Sequence, residues 1–237
     1  MLKINNLTKT YENGKKAVSN LSLEIASGEI FGFIGHNGAG KTTTIKSIVG
    51  LINFDSGEVY VDGVSIKDNP ILCKKKIAYI PDNPDIYESL TGIQYLNFIG
   101  DIFQVSKEEK NTLIKKYADI FEITKNLGDM ISTYSHGMKQ KLVLISALIH
   151  KPKLLLLDEP FVGLDPKAAF SVKQIMRDLC NDGASVFFST HVLEVAEKLC
   201  DKVAIIKDGV IVSSGKMEEV LGDKSLETVF LGLLENA

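Results

Sequence analysis

Between Gly35 and Thr42 the chain reads Gly35-His36-Asn37-Gly38-Ala39-Gly40-Lys41-Thr42, a G-x-x-x-x-G-K-[ST] spacing with every fixed position filled. Glycines at this spacing let the backbone wrap a polyphosphate, whose charge then faces several N–H dipoles and the N-terminus of the following helix. Lys41 is spaced to reach the β- and γ-phosphates of a nucleoside triphosphate, and the Thr42 hydroxyl to hold Mg²⁺. Gly35 through Thr42, together with Thr43, are the candidate nucleotide-binding residues. ATP and GTP both fit at this point, and kinase, switch GTPase, helicase and transport ATPase all remain open.

A second motif narrows the chemistry. Leu154-Leu155-Leu156-Leu157-Asp158-Glu159 is a buried-strand pattern that delivers two adjacent carboxylates at its carboxyl end. Neighbouring side chains on a strand point opposite ways, so the pair is expected to divide its work. Asp158 is placed to orient Mg²⁺, and Glu159 to face an attacking water as general base or polariser.

These residues need elements to hold them. The apolar run Ile30–Ile34 predicts a strand before the glycine loop, and Thr42–Leu51 a helix after it. Residues 1 to about 80 otherwise read as short strands and turns, with a hairpin at Asp62-Gly63 following the alternation Gly57–Val61. From about residue 83 to 150 the period becomes helical. Tyr95, Phe98, Ile99 and Ile102 form one apolar stripe and Leu113, Tyr117, Ile120 and Phe121 another, both read as core faces. After Pro152 strand and helix alternate again. Leu154–Leu157 and Ser185–Ser189 read as buried parallel strands, and Asp208-Gly209 closes a second hairpin. No internal repeat or low-complexity stretch is visible.

Composition sets the outer bounds. The 237 residues carry 27 Lys+Arg and 30 Asp+Glu, a net charge of -3, with 45% hydrophobic and 24% charged residues. That is an ordinary globular chain with no electrostatic footprint for nucleic acid, and none is expected as a partner. Lys74-Lys75-Lys76 reads as a solvated face rather than a binding site. Arg177 is the sole arginine. The N-terminus lacks the apolar core of a signal peptide, and no apolar run reaches the roughly 18 residues a membrane span needs. Cys73, Cys180 and Cys200 are scattered, odd in number and outside any CxxC pair, so buried free thiols are expected in a soluble cytosolic protein.

At Tyr134-Ser135-His136-Gly137-Met138-Lys139-Gln140-Lys141 the sequence resembles the signature segment of ABC-type ATPases. Other segments agree in the family's order along almost the whole chain. Tyr11 sits where the family has an aromatic that stacks on adenine, and Pro81-Asp82 follows the strand Ile77–Ile80 where a glutamine is usual. Gly163-Leu164-Asp165 looks like the D-loop, and Ser189-Thr190-His191 like the switch histidine at a strand end. The resemblance implies an α/β P-loop NTPase fold with a RecA-like, mainly parallel sheet, an antiparallel β subdomain (about 1–30 and 56–76) and a helical subdomain (about 83–150). It implies a Mg²⁺-dependent ATPase with Glu159, His191 and Lys41 catalytic and Thr42, Asp82 and Asp158 at the metal. Ser135 and Gly137 would contact ATP held by a second subunit, in a homo- or heterodimer. A separate transmembrane permease would then hold the protein at the cytoplasmic side of the membrane, with residues 82–90 pressing on its helices.

The departures carry information too. Asp82 keeps an oxygen acceptor but loses the amide donor of glutamine. His136 and Met138 replace a glycine and a glutamine of the usual LSGGQ, while Ser135 and Gly137 remain. With the tail Ser225–Leu231, these departures resemble the subfamily serving ABC-2-type and antibiotic-resistance exporters, which implies export. The tail also fits a short amphipathic packing helix, and no room is expected beyond it for a regulatory domain. The rival reading is a soluble ABC-type ATPase acting on nucleic acid or ribosomes. Such proteins usually carry paired cassettes, a long coiled coil or basic extensions, and none is seen. A degenerate cassette that binds ATP without hydrolysis is disfavoured by intact Lys41, Asp158, Glu159 and His191.

Overall fold

The computed structural model describes residues 1–83 and 85–235. Pro84, inside the stretch expected to meet a membrane partner, lies outside the described residues. Two sheets organise the chain. In the first, β1 (Leu2–Thr10) lies between β2 (Lys16–Ile25) and β4 (Ser56–Val61), and β5 (Val64–Ser65) closes the edge through the Asp62-Gly63 turn. All its pairings are antiparallel.

The second sheet has six strands. In order they are β10 (Val210–Lys216), β9 (Lys202–Lys207), β3 (Ile30–Ile34), β8 (Ser185–Thr190), β7 (Leu154–Asp158) and β6 (Ile77–Ile80). Every neighbouring pair is parallel except β9–β10, the hairpin expected at Asp208-Gly209. A strand covered on both faces should be apolar throughout, and β3, β7 and β8 are buried at every position.

Strand alternation splits this sheet between two cores. Ile30, Ile34, Leu155, Leu157, Val186 and Phe188 face one of them, with the helices that follow residue 90. Phe31, Phe33, Leu154, Leu156 and Phe187 face the other, with α1 (Lys41–Ile48) and the antiparallel sheet. Phe187 packs its ring on both Phe31 and Phe33, with centroids 5.8 and 5.2 Å apart.

The helical zone contains α3 (Gly92–Ile102), α4 (Lys107–Ile120) and α5 (His136–Leu148), while α2 (Pro70–Lys76) precedes β6. Capping residues set where these helices start. Thr91 and Gln94 form a reciprocal capping box on α3, and the hydroxyls of Ser106 and Ser135 accept backbone N–H groups of α4 and α5. One expectation for α3 needs correction. Tyr95 is buried, but Phe98 and Ile102 are 43% and 55% exposed. The buried face instead runs through Gly92, Tyr95, Leu96 and Gly100. This helix is apolar on two faces, so residue spacing alone could not say which one turns inward.

Beyond β7 come α6 (Pro166–Asn181), α7 (Leu193–Leu199), α8 (Met217–Leu221) and α9 (Leu226–Glu235). The tail does pack as a helix, with Leu226 fully buried. Arg177 bonds Asp201 Oδ1 at 2.9 Å and the Leu199 carbonyl at 2.7 Å, so the sole guanidinium is a staple between α6 and the start of β9. Cys73, Cys180 and Cys200 are free and buried, as expected. Among the described residues no helix is long and apolar enough to cross a membrane.

Candidate functional site

The glycine loop joins β3 to α1, and its shape is dictated by what lies behind it. A Cβ on Gly35 would sit 2.5 Å from the Ile206 carbonyl oxygen. One on Gly40, at φ +109°, would sit 2.4 Å from that of Ala17. Neither position has room for a side chain. The Gly209 N–H donates to the Ala39 carbonyl at 2.9 Å, so the β9–β10 hairpin braces the loop from outside. His36 Nδ1 bonds the Asn37 carbonyl at 2.8 Å, and its Nε2 lies 3.8 Å from Asp208 Oδ1. Lys41, only 6% exposed, donates to the Gly35 and His36 carbonyls at 2.7 and 3.3 Å.

The two carboxylates diverge as strand alternation requires. Asp158 is 2% exposed and ends β7 beside β8. Its Oδ2 accepts from the Thr42 hydroxyl at 2.7 Å and its Oδ1 from the Ser189 hydroxyl. Glu159 leaves the strand in the left-handed region, at φ +51°. For a non-glycine residue that conformation costs about 1–2 kcal/mol. Its N–H is anchored to both the carbonyl and the hydroxyl of Ser189, each at 3.2 Å. The turn sends the carboxylate to an imidazole and an ammonium group, with Oε2 3.0 Å from His191 Nδ1 and Oε1 3.6 Å from Lys41 Nζ. Glu159 Oε1 is buried and accepts no hydrogen bond among the described residues. A buried acceptor left open at a cleft is suited to a polar ligand or water.

These groups share one cleft. Tyr11, Asn37, Gly38, Gly40, Lys41, Thr42, Thr43, Asp82, Asp158 and Glu159 line it together with Lys15 and Ala17. The Tyr11 hydroxyl bonds Thr43 Oγ1 at 3.1 Å, tying the aromatic to α1, and Lys9 Nζ stands 5.5 Å from the centroid of its ring. Asp82 reaches the cleft wall from the end of β6, its Oδ1 accepting from the Asn83 N–H at 2.9 Å. Gly35, His36 and Ala39 build the loop from behind rather than lining the cleft.

Ser135 and Gly137 are not brought to this cleft. They lie at the N-terminus of α5, where the Ser135 hydroxyl accepts the Met138 N–H at 3.3 Å and a Cβ on Gly137 would approach the Gly163 carbonyl at 3.5 Å. From the same helix Gln140 donates to the Val162 carbonyl and Lys141 pairs with Asp165, so α5 grips the loop after Glu159 within its own subunit. Motif reading gave no role of their own to Lys15, Ala17 or Ser189. Ser189 pairs with Asp158 across the sheet and could have been read from β7–β8 register. Lys15 belongs to no motif.

Residues 18–162 match the family model described as ABC transporter. The linearmycin resistance ATP-binding protein LnrL of Bacillus subtilis is 34% identical over 240 residues, covering 99% of this chain and 76% of that protein. A solved ATP-binding subunit of an ABC transporter superposes with a TM-score of 0.94 at 30% identity, covering 99% of both chains. The cassette MJ0796, solved as a dimer in a post-hydrolysis state with ADP and Pi, has a TM-score of 0.83 at 26% identity, covering 92% of this chain and 99% of that one. The chain belongs to the ABC transporter family of ATP-binding proteins. It is accordingly an ATPase of the P-loop α/β class, and its nucleotide is ATP.

Proposed function

We propose that this chain hydrolyses ATP in the cleft between Tyr11 and Glu159, and that the hydrolysis powers export through a separate membrane subunit. The observation that carries the reading is the convergence of an aromatic ring, a phosphate loop and two differently held carboxylates on one cleft. The adenine stacks on Tyr11 and the phosphates lie along Asn37–Thr43, where Lys41 and the N-terminus of α1 neutralise them. Glu159 Oε1, open toward the cleft, takes the proton of the attacking water, while His191 holds the other carboxylate oxygen in place.

The donor set suits Mg²⁺. Thr42 and Asp158 offer hard oxygen donors already 2.7 Å from each other, with Asp82 on the same cleft as a third. Among the described residues no three His, Cys, Asp or Glu side chains gather into a metal cage. That arrangement fits an ion held by few carboxylates and by the substrate's own phosphates. Bound there, Mg²⁺ would supply charge neutralisation on the phosphate oxygens.

Ser135 and Gly137, at a helix N-terminus off the cleft, act on ATP held by a second copy or a second cassette. The dimeric state of the similar MJ0796 cassette supports this arrangement. It also explains how catalysis proceeds when the one arginine is a structural staple. ATP closes the dimer, and hydrolysis with product release reopens it.

The membrane subunit docks on the helical zone. Supporting this, Tyr87, Phe98 and Ile102 are exposed there, with Tyr87 and Phe98 edge to face at 5.8 Å. Export is supported by the linearmycin resistance role in the name of the similar LnrL. The test is purification of a tagged copy in mild detergent. An integral membrane protein should accompany the wild type, and a Tyr87→Ser, Phe98→Ser double variant should lose it while keeping ATPase activity. A chain that functions in cells with no membrane protein attached would contradict the proposal.

A further inference from the structure

We infer that Lys15 is a nucleotide-contacting residue that adds to the phosphate loop's preference for a polyphosphate over a nucleoside. The inference rests on reading the cleft as the ATP site, but it assigns a role to a residue outside every motif. The lining contains three carboxylates, Asp82, Asp158 and Glu159, against two ammonium groups, Lys41 and Lys15. Lys41 is already engaged by two loop carbonyls and lies near Glu159. The Lys15 ammonium forms no hydrogen bond or ion pair among the described residues. A polyanion entering this acidic cleft therefore meets one uncommitted cation on its wall.

Geometry directs that cation to a definite part of the ligand. The Tyr11 N–H donates to the Lys15 carbonyl at 2.9 Å, the Gly14 N–H to the Tyr11 carbonyl at 2.8 Å, and the Lys15 N–H to Asn13 Oδ1 at 3.1 Å. Tyr11 and Lys15 thus face each other across one tight turn, their backbones tied by a direct hydrogen bond. Two residues further on, Ala17 also lines the cleft, and its carbonyl abuts Gly40 of the phosphate loop. Two residues of strand span about 6.6 Å. Lys15 therefore lines the cleft opposite Tyr11 and a short step from the phosphate loop, within reach of the phosphates nearest the ribose in a nucleotide stacked on that ring. A point charge on a flexible stem suits that position, since it neutralises phosphate without demanding a fixed bidentate geometry.

The test compares nucleotide binding by calorimetry for the wild type, Lys15→Gln, Lys15→Arg and Lys41→Ala, using MgATP and adenosine at two salt concentrations. Lys15→Gln should weaken MgATP about tenfold, as expected for loss of a charge-assisted contact. It should leave adenosine unchanged and flatten the salt dependence, and Lys15→Arg should restore MgATP affinity. Unchanged MgATP affinity in Lys15→Gln, with Lys41→Ala strongly weakened, would overturn the inference and leave the cleft reading standing. An equal loss for ATP and adenosine would also overturn it, because that marks a distorted hairpin rather than a lost charge. If Lys41→Ala bound MgATP normally, the cleft reading itself would fail.

Discussion

At the scale of single residues, the proposed catalysis turns on how Glu159 is held. Asp158 is locked between Thr42 and Ser189, while its neighbour is turned out of the strand by a left-handed backbone and fastened through Ser189. His191 then fixes one carboxylate oxygen and leaves the other to the cleft. Removing the imidazole frees the base to rotate without touching the phosphate loop. His191→Ala should accordingly lower kcat about a hundredfold while leaving MgATP affinity near the wild-type value. Steady-state ATPase rates beside equilibrium binding check this, and a weakened Kd with unchanged kcat would oppose it. Most of these residues were legible in the sequence because their spacing along the chain is itself the geometry. Gly35 to Thr42 must form one loop, and Asp158 and Glu159 must diverge at a strand end. Lys15 was not legible, since its place on the cleft arises from a hairpin turn that brings it opposite Tyr11.

At the scale of elements, the strands were the most readable part. β3 falls where its apolar run does, because a strand buried on both faces has no polar position to blur its limits. Helix faces were less readable. The outward face of α3 carries Phe98 and Ile102, so apolar spacing alone does not separate it from the inward face, and only the packing of Tyr95 and Leu96 settles which is which. The seam between the helical zone and the sheet also holds a group that spacing could not flag. His150 follows α5, bonds the Ile77 carbonyl at the start of β6 at 3.1 Å, and stacks on Phe103 with ring centroids 3.7 Å apart. Burial pushes its pKa below the ordinary 6.5, only partly offset by that carbonyl. Below the ordinary value the unfolded chain takes up the proton while the folded chain resists it, so stability is full above about pH 6.5 and falls as the pH drops through that window. Thermal melts between pH 8 and 5 should show the wild type losing a few degrees more than His150→Gln. Parallel profiles for the two proteins would contradict this account of the seam.

At the scale of the whole molecule, a complete set of cleft residues coexists with a signature segment that points elsewhere. Ser135 and Gly137 cap α5 away from the cleft, yet α5 grips the loop that follows Glu159 through Gln140 and Lys141. In the proposed dimer, a subunit built this way lends its signature to a partner and borrows one in return. The sequence made this legible as a class through motif order, but it holds no trace of a transported substrate, whose contacts the proposed function puts on another chain. The poverty in arginine takes its meaning at this scale as well, because a facing helix N-terminus can neutralise phosphate where an arginine finger otherwise would. The central claim is that Glu159 activates water in a cleft completed by a second subunit. Its most direct test is the Glu159→Gln variant, followed for MgATP binding, turnover and subunit association in one preparation. The account predicts MgATP binding near the wild-type affinity, turnover lowered at least about a hundredfold and accumulation of an ATP-bound dimer. Near-normal hydrolysis by that variant would contradict it.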